Sequence, residues 1–71
     1  MSNVSLLKER ITESGMTMVN VAKRANIGRV TLYNRLNGHG EFTAPEIVGL
    51  STALNLSKAD REKIFFAKGS M

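Results

Sequence analysis

The sequence predicts an all-α fold, a compact domain of five short helices. Three observations carry this. Apolar residues recur three and four residues apart in five separate stretches, which lines up one face of a helix in each. No stretch alternates apolar and polar residues as a half-buried strand does. Ser, Thr or Asn stands ahead of the periodic stretches, and glycine or asparagine follows several of them.

The first helix is expected over 5–14, with Asn3 or Ser5 as its N-cap, Leu7 and Ile11 inward, and Gly15 as its break. Met16 tucks beneath, and Thr17 caps a second helix over 18–25 in which Val21, Ala22 and Ala25 share a face. Asn26 follows, one of the few non-glycine residues that tolerates a left-handed backbone. Ile27 turns inward. A third helix over 29–37 then buries Leu32 and Leu36 and stops at Asn37-Gly38. Two glycines make Gly38 to Phe42 a loop. Thr43 with Glu46 three residues on is a capping box, and Pro45 is tolerated in the first turn. The fourth helix, over 44–54, is expected to bury Ile47, Leu50 and Leu54. Ser57 with Asp60 repeats the cap, and the fifth helix runs over 58–68 with Ile64 and Phe65 inward.

With 71 residues the chain is read as one domain, 1–71, with a small core. It has no cysteine, so no disulfide or thiolate metal site can stabilise it. Helix packing must do so, with a net stability of roughly a few kcal/mol. His39 is the only histidine, and no acid cluster accompanies it. No metal or other cofactor is therefore implied. No nucleophile–base set, phosphate-cradling loop or paired carboxylates stand out, which argues against an enzyme. No apolar run nears the roughly 20 residues of a membrane span. The N-terminus lacks the pattern of a secretory leader, and the chain is read as cytoplasmic.

The stretch from Met18 to Gly38 is the most informative. A helix, a turn of a few residues and a second helix at a steep angle form a helix-turn-helix, whose second helix can enter a DNA major groove. The charge distribution fits this better than the net charge of +4 does, since many small domains carry that charge for solubility. From Ser14 to Gly40 there is no Asp or Glu, while Lys23, Arg24, Arg29 and Arg35 all lie there. A one-signed middle flanked by mixed-sign helices is the footprint of a face that meets phosphates.

The chain resembles the Cro/C1 class, the lambda-repressor-like DNA-binding domain of small phage repressors. The resemblance covers roughly Leu7 to Ile64. It rests on Thr17 before the second helix, Val21-Ala22, Ile27 after the turn, Leu32, Leu36-Asn37-Gly38, and the downstream Ala53-Leu54 and Leu56-Ser57. It implies a lambda-repressor-like five-helix domain with helices two and three as the helix-turn-helix. Several positions depart from the class. Met18 and Val19 occupy the corner where a glutamine usually anchors a phosphate, Asn26 replaces the turn glycine, and Gly28 replaces a Ser or Thr cap. Arg35 stands at a usually apolar position, where its stem can be buried with the head group outside.

If the third helix enters the groove, Arg29, Val30, Tyr33 and Asn34 meet base edges. An arginine can bond both guanine acceptors, an asparagine both groups of an adenine edge, and Val30 can touch a thymine methyl. A solvated helix face is the alternative, although a β-branched residue is a poor exposed helix former. Candidate phosphate contacts are Thr17 and Met18 through the amides of the second helix, Lys23, Thr31, Arg35, and Asn37 with Gly38 and His39 through loop amides. A like-charged pair such as Lys23 and Arg24 is more often simple solubilising charge than contact, and Arg24 can reach Glu9 or Glu13 across the packing.

Two functions compete. The first is a sequence-specific regulator that occupies a double-stranded DNA operator, as a homodimer on half-sites about one helical turn apart. Phe65 and Phe66, which cannot both face the core, mark a candidate dimer surface on the fifth helix, unless one lies over the first helix and the other stays partly exposed. The second is a phage modulator or antirepressor that binds a partner repressor protein through Met18, Val19, Val30 and Phe66, with Val48 also exposed. An antitoxin is a third reading, without an extended wrapping tail after Lys68.

Overall fold

Five helices follow one another: α1 (Val4–Ser14), α2 (Met18–Ala25), α3 (Arg29–Leu36), α4 (Ala44–Ala53) and α5 (Lys58–Phe65). The structure is a computed structural model that describes residues 3–66, and among these there is no strand. No helix among the described residues is long and apolar enough to cross a membrane.

The caps read from the sequence form as hydrogen bonds. Thr17 Oγ1 accepts from the Asn20 amide at 3.2 Å and Ser57 Oγ from the Asp60 amide at 3.0 Å. Thr43 and Glu46 close both halves of their capping box, at 3.0 and 3.4 Å. Where helix ends differ from expectation, backbone chemistry gives the reason. Asn3 rather than Ser5 caps α1, its side chain accepting from Leu6, so the helix starts at Val4. Asn37 has left the helical region (φ −95°, ψ 10°), which ends α3 at Leu36. α4 ends at Ala53 because Asn55 turns left-handed (φ 53°) and the Leu56 amide donates to the Ser51 carbonyl at 2.9 Å. α5 ends at Phe65, and Lys68, the expected end, lies outside the described residues.

One apolar core joins all five helices. Leu7 and Ile11 come from α1, Val21, Ala22 and Ala25 from α2, Ile27 from the turn, Leu32 and Leu36 from α3, Leu50 from α4, and Ile64 and Phe65 from α5. Ile47 and Leu54, expected inside, are only half-buried and pack against its edge. α2 packs most extensively on α4. Phe65 takes the inward place of the Phe pair and meets the Phe42 ring edge-on, at 5.4 Å and 77°, pinning the α3–α4 loop to α5. Phe66 is exposed.

α1 and α5 are joined at their surface by Arg10, whose Nε and Nη2 donate to the two Asp60 carboxylate oxygens at 3.2 and 3.3 Å. Arg10 also takes Glu9 and Glu13 as ion-pair partners, at 3.8 and 3.1 Å. The acids expected for Arg24 are thus engaged with Arg10, and Arg24 has no ion pair among the described residues. The Arg10 hydrogen bonds, aided by its charge, hold the Asp60 carboxyl below the usual carboxylate range. A depressed folded-state value means a contribution present above the unfolded aspartate pKa and lost as pH falls through the folded one. Asp60→Asn should therefore lower the melting temperature at neutral pH and narrow the gap to wild type as the medium is acidified below the carboxylate range. A gap that stays constant with pH in circular-dichroism melts would show that this ion pair contributes nothing.

Candidate nucleic-acid interface

The turn between α2 and α3 sets the direction of the second helix. Asn26 adopts the left-handed conformation (φ 59°, ψ 43°), and the next amide, of Ile27, returns to the Ala22 carbonyl at 2.9 Å. This is the six-to-one closure of a Schellman cap, and it buries Ile27 as the apolar plug of the corner. Gly28 then starts α3 from an extended conformation with no side-chain cap.

On α3 the 3.6-residue period separates two faces. Leu32 and Leu36 are buried beneath. Arg29, Val30, Tyr33 and Asn34, at offsets of one, three and four residues, are all exposed on the other side, Val30 by 70%. The structure brings these four predicted base-reading residues onto one outward face. Thr31 is half-buried at its edge. Lys23 and Arg24 are exposed on α2, and no acidic residue lies between Ser14 and Gly40 to neutralise them.

At the start of α2, the Met18 and Val19 amides have no acceptor among the described residues, as expected in a first helical turn. Thr17 is exposed and Met18 half-buried beside them. A groove of about 460 Å³ opens there, between Lys8 and Thr12 of α1, Met16 and Met18, and Tyr33 and Asn37 at the far end. Lys8 and Met18 thus line one groove. The sequence reading missed Lys8, although its place one turn before Thr12, next to inward-facing Ile11, put it on this edge.

Three expectations change. The loop amides thought free for phosphates are consumed by the end of α3. Asn37 donates to the Tyr33 carbonyl (3.0 Å), Gly38 to Arg35 (3.1 Å) and His39 to Asn34 (2.8 Å). Only the exposed side chains of Asn37 and His39 remain available. Arg35 is turned back on its own molecule. Its Nη1 donates to the His39 carbonyl at 3.2 Å, and its Nε lies 3.5 Å from Glu46 Oε1. The expected stem burial holds; the side chain as a whole is 23% exposed, and the Nε of the head group is buried as well. The residues assigned to a protein partner also separate. Met18 lies in the groove beside Tyr33, whereas Phe66 lines another, of about 440 Å³, with Ile47, Val48 and Arg61.

Comparison with curated proteins and with solved structures finds no significant match. The Helix-turn-helix family model matches residues 7–60, which runs from within α1 to the first turn of α5 and includes the whole α2–turn–α3 unit. The chain belongs to the Cro/C1-type helix-turn-helix family and is a DNA-binding helix-turn-helix regulator.

Proposed function

We propose that the chain is a Cro- or repressor-like regulator that acts by occupying a specific double-stranded operator with α3 in the major groove. The observation that carries this reading is the outward face of α3. Arg29, Val30, Tyr33 and Asn34 project together from a helix anchored by Leu32 and Leu36, in a segment without acids. Arg29 and Asn34 supply bonds to base edges, and Val30 and Tyr33 supply shape and apolar contact. The Thr17–Met18 end of α2, Lys8, Lys23, Thr31, Asn37 and His39 face the phosphates, which fix register. Two copies on adjacent half-sites meet through the Val48–Phe66 groove, whose apolar residues are otherwise uncovered.

Selection of bound fragments from a random duplex pool tests this directly, and a palindrome is the expected product. On the selected site Arg29→Ala should cost about 1–3 kcal/mol and relax preference at one base, while affinity falls steeply with added salt. Equal loss on random duplex would mean that Arg29 supplies charge rather than readout.

A second reading keeps one observation in its favour. Met18 and Val19 are apolar at the corner where the family carries a phosphate-anchoring glutamine, and Val19 and Val30 are exposed, which suits an antirepressor that docks on a phage or prophage repressor. A flat salt response and no selected site, with capture of a repressor protein, would favour it.

A further inference from the structure

We infer that Arg35, with Glu46, is a positioning residue that sets the α3–α4 loop for DNA binding and is not itself a phosphate ligand; the inference rests on the DNA-binding reading above. Among the described residues, Arg35 is the side chain whose polar contacts tie the last turn of α3, the loop and the first turn of α4 together. It reaches the His39 carbonyl four residues on and the Glu46 carboxylate eleven residues on. That same Glu46 oxygen accepts from the Thr43 amide, so the ion pair and the α4 cap share one acceptor. The loop is shaped around the guanidinium. Gly40 has a φ of 94°, and a Cβ there would lie 2.5 Å from Arg35 Nη1 and 3.2 Å from Cζ.

The arrangement is also costly for a purely structural role. Arg35 Nε is buried and, although within ion-pair distance of Glu46, is out of line for a hydrogen bond and has no acceptor among the described residues. An apolar side chain would fill the same space without an orphaned donor. What the charge gains is a fixed loop path, which leaves the His39 ring and the Asn37 amide group exposed at the end of the reading helix. Both side chains are thereby placed to meet the backbone of the strand.

Glu46→Gln and Arg35→Met separate this from a direct contact. Glutamine keeps the carbonyl oxygen that the capping box needs and removes only the charge. Binding of a fluorescein-labelled mixed-sequence duplex is followed by anisotropy over a salt series, well below each variant's melting temperature, with amide exchange as a second measurement. We expect each variant to bind about tenfold more weakly, the worth of one lost bond to a charged group. The double variant should lose no more than either single one, the log-log salt slope should stay that of wild type, and the His39 amide should exchange faster in both. If Arg35 were a phosphate ligand, Glu46→Gln would leave binding unchanged or tighten it, and Arg35→Met would reduce the slope by about one. Either result overturns the inference, as does unaltered binding or unaltered His39 exchange in both variants. Wild-type protein that fails to bind the duplex at any salt overturns the DNA reading itself. Wild-type binding with Glu46→Gln undiminished overturns the inference alone.

Discussion

Leu32→Ala is expected to leave the protein largely unfolded at room temperature. Leu32 has no exposed surface and sits under the outward face of α3, where the helix meets the core. Truncating a buried leucine removes its transfer energy and leaves a cavity that the surroundings refill only in part, at about 2–5 kcal/mol. A cysteine-free chain of 71 residues has roughly that much stability in total. The helical circular-dichroism signal should collapse, and DNA binding should vanish with it. Val30→Ala, two residues away but exposed, should keep the helical signal and change only recognition. A Leu32→Ala variant that melts like wild type would place α3 in a different register and take the outward face with it.

How much of this was legible in the sequence follows from the range of each interaction. Caps are set within three residues, so Thr17, Thr43 with Glu46, and Ser57 were readable as helix starts. The face of α3 was readable because Leu32 and Leu36 fix the helix phase, and the phase fixes where Arg29, Val30, Tyr33 and Asn34 point. Contacts that depend on how the helices fold over one another were not. Arg10 and Asp60 lie 50 residues apart, and nothing local marks them as a pair, whereas the nearby Glu9 and Glu13 made Arg24 look like their partner. The stem burial of Arg35 was readable from its usually apolar position, but its head-group contacts were not, since they depend on the path of a loop whose glycines say only that it is irregular. The amides of residues 37–39 looked free because the way α3 unwinds depends on the same loop.

Gly49 carries a constraint of this longer-range kind, and it yields the second large effect. In a helix interior glycine costs about 0.8–1.0 kcal/mol relative to alanine, so propensity alone says that Gly49→Ala stabilises α4. The packing says the reverse. A Cβ at Gly49 would lie on the Ala25 carbonyl oxygen, 3.0 Å from its carbonyl carbon and 3.2 Å from the Ala25 Cα. These are backbone atoms, so no side-chain rotation relieves the contact; α4 must move away from α2, across the most extensive helix contact in the molecule. Overpacking of this kind typically costs about 1–3 kcal/mol, and a rigid neighbour puts it at the upper end. The net loss should be about 2 kcal/mol, a fall in melting temperature on the order of 10 °C for a domain of this size. The damage should also reach recognition, because Ala25 is the last residue of α2 and immediately precedes the Asn26 turn that aims α3. Gly49→Ala should therefore weaken DNA binding even at temperatures where the variant is fully folded. Thr52→Ala, exposed on the same helix, should do neither. A melting temperature above wild type, as propensity alone requires, would mean that α2 and α4 stand farther apart and that the turn is aimed by something other than their backbone contact.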